Sequence, residues 1–219
     1  FAAGDQIAVI YKNSGGNTMK AVSEALTSGD ITNEGKSATF TVSLDNPQEN
    51  CSVRFVYPAA MAVENPATGS EITADDNINY NALYNNQVGT IDAVSSNFDL
   101  AVKDSNLNGS ALPTGMRLEN KLAILKFTSI QNNANNANIV GDLRQLVITA
   151  GDYAYIVNRT AAEGTVFVAV RPVSGDTITI EGAVGKTLFS RTISNQTLEA
   201  GHLIPVSLKM KQVPGALSG

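Results

Sequence analysis

Apolar and polar residues alternate with a period of two in several separate segments of this chain. In residues 37–44, Ala38, Phe40, Val42 and Leu44 share one face, and serine and threonine occupy the other. Because successive side chains of a strand point to opposite faces, this pattern predicts a half-buried β-strand. The same alternation recurs in residues 51–58, 166–170, 177–180 and 203–210. The sequence therefore predicts an all-β protein.

Two other segments are apolar on both faces. Residues 7–11 and 122–127 form these runs, and they are predicted to be central strands covered on both sides. Residues 19–26 offer a weak helical alignment, but their position between two strand candidates favours a strand in the first half. Residues 64–120 are the least patterned and read as long surface loops with short strands, and 131–138 as an exposed polar loop.

Turn-forming residues divide the chain into two halves. Residues 108–115 carry glycine, proline, asparagine and serine, which are typical of turns and linkers. Each half then has about 100 residues, the usual size of a β-sandwich domain. We therefore predict two tandem β-sandwich domains, at residues 1–111 and 112–219.

Composition narrows the functional classes. Of the 219 residues, 43% are hydrophobic and 16% are charged, so the chain has enough apolar side chains for a core. The net charge of −5 argues against a nucleic-acid surface, which needs clustered lysine and arginine. No apolar run approaches the roughly 20 residues that cross a membrane. Phe1 is not an initiator methionine, so we expect a processed or trimmed start.

The residues that usually carry chemistry have no partners in the sequence. His202 is the only histidine and Cys51 the only cysteine, and neither lies in a ligand or triad spacing. Asp-rich turns at 75–77 and 45–46 offer oxygen ligands for calcium, but neither has EF-hand spacing, and Asx turns explain both. We therefore predict no enzymatic activity, no cofactor and no metal.

Short motifs follow one another in a set order along the chain. A Gly-Asp pair at 4–5 precedes the first apolar run, and Phe40 is followed by a Tyr-Pro pair at 57–58. The run at 122–127 comes next, and Ala-Gly-His at 200–202 leads into the last alternating segment. This order resembles that of the fimbrillin-like proteins of the Bacteroides group, which are surface lipoproteins and pilus subunits. The resemblance covers nearly the whole chain.

The resemblance implies a fold and a way of assembly. Family members have two transthyretin-like Greek-key β-sandwiches and are exported as lipoprotein precursors to the outer-membrane surface. A protease then removes an N-terminal segment, and neighbouring pilin subunits are joined by strand exchange, which is a form of β-augmentation. The expected role is a structural subunit of a cell-surface fimbria, which meets the membrane only through a lipid anchor on the precursor.

Strand exchange requires an acceptor groove, which we expect at the place of the first strand once that strand is removed. Ile7, Val9 and Tyr11 are predicted to close the core of the N-terminal domain. Removing this strand would expose a row of backbone groups and apolar pockets, which favours pairing with a strand of the next subunit.

The donor strand is expected at the C-terminal end. Alternating apolar residues there suit a strand that enters a groove: Ile204, Val206, Leu208 and Met210. Alternatively, this run belongs to the core of its own domain, and residues 211–219 are the flexible part.

A modification site is also predicted. Asp176-Thr177-Ile178 resembles the O-glycosylation sequence of exported Bacteroidetes proteins, which makes Thr177 the candidate acceptor. An outward-facing strand residue explains Thr177 equally well.

A second function from another class remains open. The chain is then a monomeric, surface-anchored binding module for a glycan or a host protein, with its contacts in the loops of 64–108. Tyr80 and Tyr84 would stack on sugars in that case, although lone tyrosines more often serve in packing.

Overall fold

The computed structural model describes residues 1–159 and 164–214. The chain divides into two compact units, each of which is built from two separate segments of the sequence. Unit 1 consists of residues 1–79 and 99–120, and unit 2 of residues 80–98 and 121–219. Strands dominate both units, which confirms the all-β class. The predicted domain ranges, 1–111 and 112–219, stay a prediction.

Unit 1 is built on a five-stranded sheet with the order β2-β1-β5-β6-β7. Its strands are β1 (Ala8–Lys12), β2 (Thr18–Val22), β3 (Ile31–Thr32), β4 (Ser37–Ala38), β5 (Ser52–Tyr57), β6 (Ala101–Asn106) and β7 (Glu119–Asn120). The short strands β3 and β4 pair with each other outside the main sheet. All neighbours in the main sheet are antiparallel. The strand favoured for the first half of 19–26 is β2, so that prediction is confirmed.

The predicted strand at 37–44 is only partly correct. Its alternation holds, since Phe40, Val42 and Leu44 are half-buried against the core of unit 1. Regular pairing, however, is limited to the two residues of β4. Beyond β4 the backbone makes isolated hydrogen bonds instead, such as the one that Glu24 N donates to Thr41 O at 3.0 Å. Alternation reports which face is buried, whereas a ladder also needs a partner strand in register.

A charged pair lies inside the sheet of unit 1. Arg54 of β5 is 8% exposed, and its Nε and Nη2 atoms donate to the two carboxylate oxygens of Asp104 on β6 at 2.7 and 3.0 Å. These two residues are register partners on neighbouring strands. This two-pronged hydrogen bond gives the buried Arg54 guanidinium partners and fixes the register between the strands, while the Asp104 side chain stays 45% exposed.

Unit 2 carries a seven-stranded sheet with the order β10-β9-β12-β13-β14-β8-β11. The strands are β8 (Ala123–Asn132), β9 (Gln145–Ala150), β10 (Tyr153–Asn158), β11 (Val166–Val170), β12 (Val173–Val184), β13 (Thr187–Leu198) and β14 (Leu203–Gln212). Among the strands of this sheet in the described residues, β14 and β8 pair in parallel and the other neighbours are antiparallel. Two helical segments complete the unit: α1 (Tyr80–Asn85) and α2 (Ile91–Ala93), which continues as a π-helix over Val94–Phe98.

One face of the seven-stranded sheet is buried. Fully buried side chains come from across the sheet, among them Phe127, Ile148, Tyr155 and Ile180. Gly182 of β12 lies where the strand approaches Leu143 closely, because a Cβ there would stand 2.7 Å from Leu143 Cδ2. A glycine at this position therefore lets β12 pack against the loop that precedes β9.

The structure differs from the sequence prediction most in residues 64–120. That stretch contains α1, α2 and the six-residue strand β6, none of which has a strong periodic pattern. The polar segment 131–138, in contrast, ends β8 and forms an exposed turn, as predicted. No helix in the described part of the chain has the length and apolar character to cross a membrane.

Candidate assembly surfaces

The strand predicted to leave the acceptor groove, β1, is buried in the core of unit 1, and Ile7 directly precedes it. Ile7, Val9 and Tyr11 are 5%, 0% and 2% exposed and belong to the core cluster of the unit. Ala8 and Ile10, which point to the opposite face, are both 0% exposed. The prediction that residues 7–11 are covered on both sides is therefore confirmed.

Backbone pairing fixes β1 on both edges. It lies between β2 and β5, with five register pairs to β2 and four to β5. The Tyr11 hydroxyl adds a link outside the ladder, because it accepts a hydrogen bond from Asp45 N at 2.9 Å and donates to Asp45 O at 3.2 Å. Removing β1 would leave both neighbouring strands with unpaired edges above a row of apolar side chains.

The predicted donor strand, β14, has the alternation expected of it. Ile204, Val206 and Leu208 are half-buried and Met210 is buried, and the residues between them are exposed. Parallel pairing with β8 runs from Leu203 to Met210. The structure thus places this run in the sheet of unit 2. Of residues 211–219, which the second sequence alternative expected to be flexible, 211–212 belong to β14 and 215–219 lie outside the described residues. The role of β14 as a donor stays a prediction.

The other edge of β14 is much less engaged. Toward β13, the register pairs are Phe189 with Gln212 and Ser190 with Lys211, both at the far end of the strand. Among the described residues no other β13–β14 ladder pairs occur. The two strands therefore diverge toward the turn that joins them, where Leu203 is 55% exposed. β14 is held firmly by one neighbour, whereas β1 is held by two.

Thr177 lies on the exposed surface of unit 2. It sits between Asp176 and Ile178, where the register of β12 with β13 shifts, and its side chain is exposed. Accessibility suits a modification site, and glycosylation of Thr177 stays a prediction.

Cys51 and His202, the two residues considered above for catalysis, belong to different units. Cys51 is half-buried in unit 1, with Sγ 3.7 Å from Lys12 O. His202 of unit 2 is exposed, and its Nδ1 lies 3.6 Å from Glu199 Oε2. Within residues 1–159 and 164–214, no three His, Cys, Asp or Glu side chains are grouped as metal ligands.

Four tyrosines and an arginine form a cluster in unit 2 that the sequence does not reveal. The ring of Tyr84 stacks on Tyr153 and Tyr80, with centroids 5.1 and 6.3 Å apart, and meets Tyr155 edge-on at 5.5 Å. The Arg171 guanidinium lies 4.3 Å from the Tyr80 centroid and 4.8 Å from that of Tyr153. These cation–π and ring contacts attach α1 to β10. This packing explains Tyr80 and Tyr84 without a ligand, and glycan binding there stays a prediction.

Burial of Tyr155 in this cluster makes the folding stability of unit 2 decrease at alkaline pH. Tyr155 is 0% exposed, and burial raises its pKa from 10.0 to about 12. The unfolded chain loses this proton near pH 10.0, whereas the folded chain keeps it until about pH 12. Stability from this group is therefore complete below pH 10.0 and is lost as the pH rises toward 12.

As the pH rises from 10.0 toward 12, we expect a Tyr155→Phe variant to lose less stability than the wild type, because phenylalanine has no proton to lose. Urea unfolding at several pH values between about 9 and 11.5 measures the two slopes. The pKa of Tyr57 is also raised, by burial and by its hydrogen bond to Asp5. Because Tyr57 is present in both proteins, its contribution cancels when the two slopes are compared. Equal slopes in the two proteins would show that Tyr155 does not retain its proton.

Comparison with known proteins adds a likeness in fold. No model of a protein family matches the chain, and no curated protein sequence matches it. A solved structure from Bacteroides ovatus, described as a "putative cell adhesion protein", is similar with a TM-score of 0.54 and 14% identity, over 97% of this chain and 86% of that one. A fimbrial assembly protein from Parabacteroides distasonis gives a TM-score of 0.46 and 13% identity, over 94% and 85%. The first likeness shows a shared fold.

Proposed function

We propose that this chain is a structural subunit of a cell-surface fimbria, joined to neighbouring subunits by strand exchange after N-terminal processing. In this proposal each unit is a transthyretin-like β-sandwich, and the precursor reaches the outer membrane as a lipoprotein. The fold shared with a Bacteroides protein supports the fold part of the proposal. The motif order along the sequence supports the family.

The observation that carries the proposal is the way β1 is held. This strand provides apolar side chains to both faces and backbone partners to two neighbours. Burying each large apolar side chain stabilises the unit by about 1.5–3 kcal/mol, so an empty β1 site would strongly favour a replacement strand. A replacement from another copy makes a head-to-tail contact, which propagates into a fibre when it does not close.

β14 is the proposed donor because its attachments differ from those of β1. Its side chains alternate between half-buried and exposed, and one of its edges is paired with β13 at two positions. A strand with one firm neighbour costs less to release than a strand with two. The β13–β14 turn would then act as the hinge.

Native cleavage after β1 tests the proposal. A protease site is inserted in the exposed turn Ser14–Gly16, which separates β1 from β2. After cleavage of the folded protein, we expect release of the fragment that contains β1 and a rise in molar mass with concentration, measured by light scattering during gel filtration. The matched control has the same site in the exposed turn 133–136, where a cut leaves β1 in place.

A second variant separates strand exchange from nonspecific association. Val206→Asp puts a charge on the inward face of β14, so cleaved protein with this change is expected to stay monomeric if β14 is the donor. Cleaved wild-type protein that stays folded and monomeric at high concentration would contradict strand exchange. The monomeric binding module for a glycan or a host protein would then be the better reading.

A further inference from the structure

The two outer strands of the sheet in unit 2 are bridged by a short segment from elsewhere in the chain. β10 and β11 are the ends of the seven-stranded order, and an edge strand offers a row of free N–H and C=O groups. Residues 87–89, which follow α1, contact both edges. We call these three residues the clasp.

Backbone atoms of the clasp bind one group on each edge. Asn158 N of β10 donates to Gln87 O at 2.9 Å, and Phe167 N of β11 donates to Gly89 O at 2.9 Å. Gln87 also forms a parallel bridge with Val157 of β10. The clasp therefore occupies the position that an added strand would take between β10 and β11.

The side chain of Gln87 completes the contact with β11. Its Nε2 donates to Ala169 O at 2.8 Å, and Ala169 N donates to its Oε1 at 2.8 Å. This primary amide thus pairs with Ala169 as a peptide group of a neighbouring strand would. Nε2 also donates to Leu83 O of α1 at 2.8 Å, and Gln87 is 1% exposed. Both N–H groups and the carbonyl oxygen of the amide are thus hydrogen-bonded where water is excluded.

Gly89 makes the close approach of the clasp possible. Its φ is +84°, and a Cβ at this position would lie 2.9 Å from Val166 Cγ1 and 3.1 Å from Val157 Cγ1. These valines belong to β11 and β10, so a larger residue would push the two edges apart. The site between the edges accordingly fits a glutamine followed two residues later by a glycine.

We propose that the space between β10 and β11 is a binding site for an extended segment of this kind, filled by the clasp of the same chain and able to accept the clasp of a second copy. Both ends of segment 80–98 lead back to residues of unit 1. An exchanged clasp would therefore connect unit 1 of one copy to unit 2 of another, with the same contacts as in the monomer. This route to association is independent of β1 and of the proposed strand exchange.

A peptide added to the full-length protein tests the site. The probe is a fluorescent peptide of residues 80–98, and the acceptor is a Gln87→Ala variant, whose own clasp lacks all three side-chain hydrogen bonds. We expect saturable binding with one peptide per chain, roughly tenfold or more tighter than to the wild type, because the site is open in a larger fraction of the molecules. Asn85→Ala is the matched control, since the Asn85 side chain donates to Asn81 O within α1.

The peptide itself provides the specificity control. A probe carrying Gln87→Ala and Gly89→Val is expected not to bind, since it has lost the amide and clashes with both valines. A folded Gln87→Ala protein that binds neither peptide would overturn the proposal, and so would equal binding of both.

Hydrogen exchange on the wild type decides the matter if Gln87→Ala does not fold. We expect the amides of Asn158, Phe167 and Ala169 to share one protection factor, because all three are freed when the clasp opens. We also expect wild-type protein to take up the labelled peptide slowly over time. Unrelated exchange of the three amides, or no uptake of the peptide, would overturn the proposal.

Discussion

A Tyr11→Ala substitution is expected to lower the free energy of unfolding of unit 1 by about 3–5 kcal/mol, the usual cost of truncating a buried aromatic side chain. The ring is 2% exposed and packs in the core cluster with Val53, Phe55 and Leu107. The change also removes both hydrogen bonds between the Tyr11 hydroxyl and the backbone of Asp45. Urea unfolding measures the loss of stability, and amide exchange in β1 and β5 assigns this loss to unit 1.

Two further substitutions separate packing from hydrogen bonding. Tyr11→Phe keeps the ring and removes the hydroxyl, so we expect a loss of about 0.5–1.5 kcal/mol. Tyr153→Ala truncates a tyrosine that is 38% exposed, so its cost should be well under that of Tyr11→Ala. If Tyr11→Phe were as destabilising as Tyr11→Ala, the hydroxyl and not the ring would dominate, and our account of the β1 core would be wrong.

A Phe127→Ala substitution is expected to destabilise unit 2 by a similar amount, about 3–5 kcal/mol. Phe127 is 0% exposed on β8, which lies between β14 and β11 in the sheet. Its register partners are Val206 on β14 and Val166 on β11. The cavity would therefore weaken the attachment of both neighbours, and amides in β8 and β11 should exchange faster.

Phe167→Ala serves as the matched control for Phe127→Ala. Phe167 is half-buried on β11, and its ring is 5.7 Å from the Lys126 ammonium. Because part of this ring already contacts water, its truncation should cost well under the loss at Phe127. Equal losses from the two substitutions would show that Phe127 is not at the centre of the core.

Both experiments also bear on the proposed assembly. A variant that weakens β1, such as Tyr11→Ala, should release the β1 fragment faster after cleavage in the Ser14–Gly16 turn. A variant that weakens β8, such as Phe127→Ala, should loosen β14, whose ladder is formed mainly with β8. Under the strand-exchange proposal, the stability of β1 therefore governs how readily the acceptor groove opens. The stability of β14 governs how readily the donor strand is released.

Much of the fold could be predicted from local patterns. The two-sided apolar run in β1 and the alternation in β14 correctly indicate which faces are buried. Alternation of this kind is visible in the sequence because a strand repeats every two residues along the chain. It could not indicate that residues 39–44 would lack a regular ladder, since pairing depends on a second segment.

The contacts that hold segment 80–98 in unit 2 had no such local signal. Gln87 and Ala169 are 82 positions apart in the sequence, and Tyr84 and Arg171 are 87 apart. A buried glutamine appears in the sequence as an ordinary polar residue of a loop, and only the surrounding strands give it partners. The sequence by itself thus determined the strands and the faces they bury, because these follow from the chain's own periodicity. The tertiary structure alone decided which segment bridges β10 and β11, because that depends on hydrogen-bonding groups brought together from distant parts of the chain.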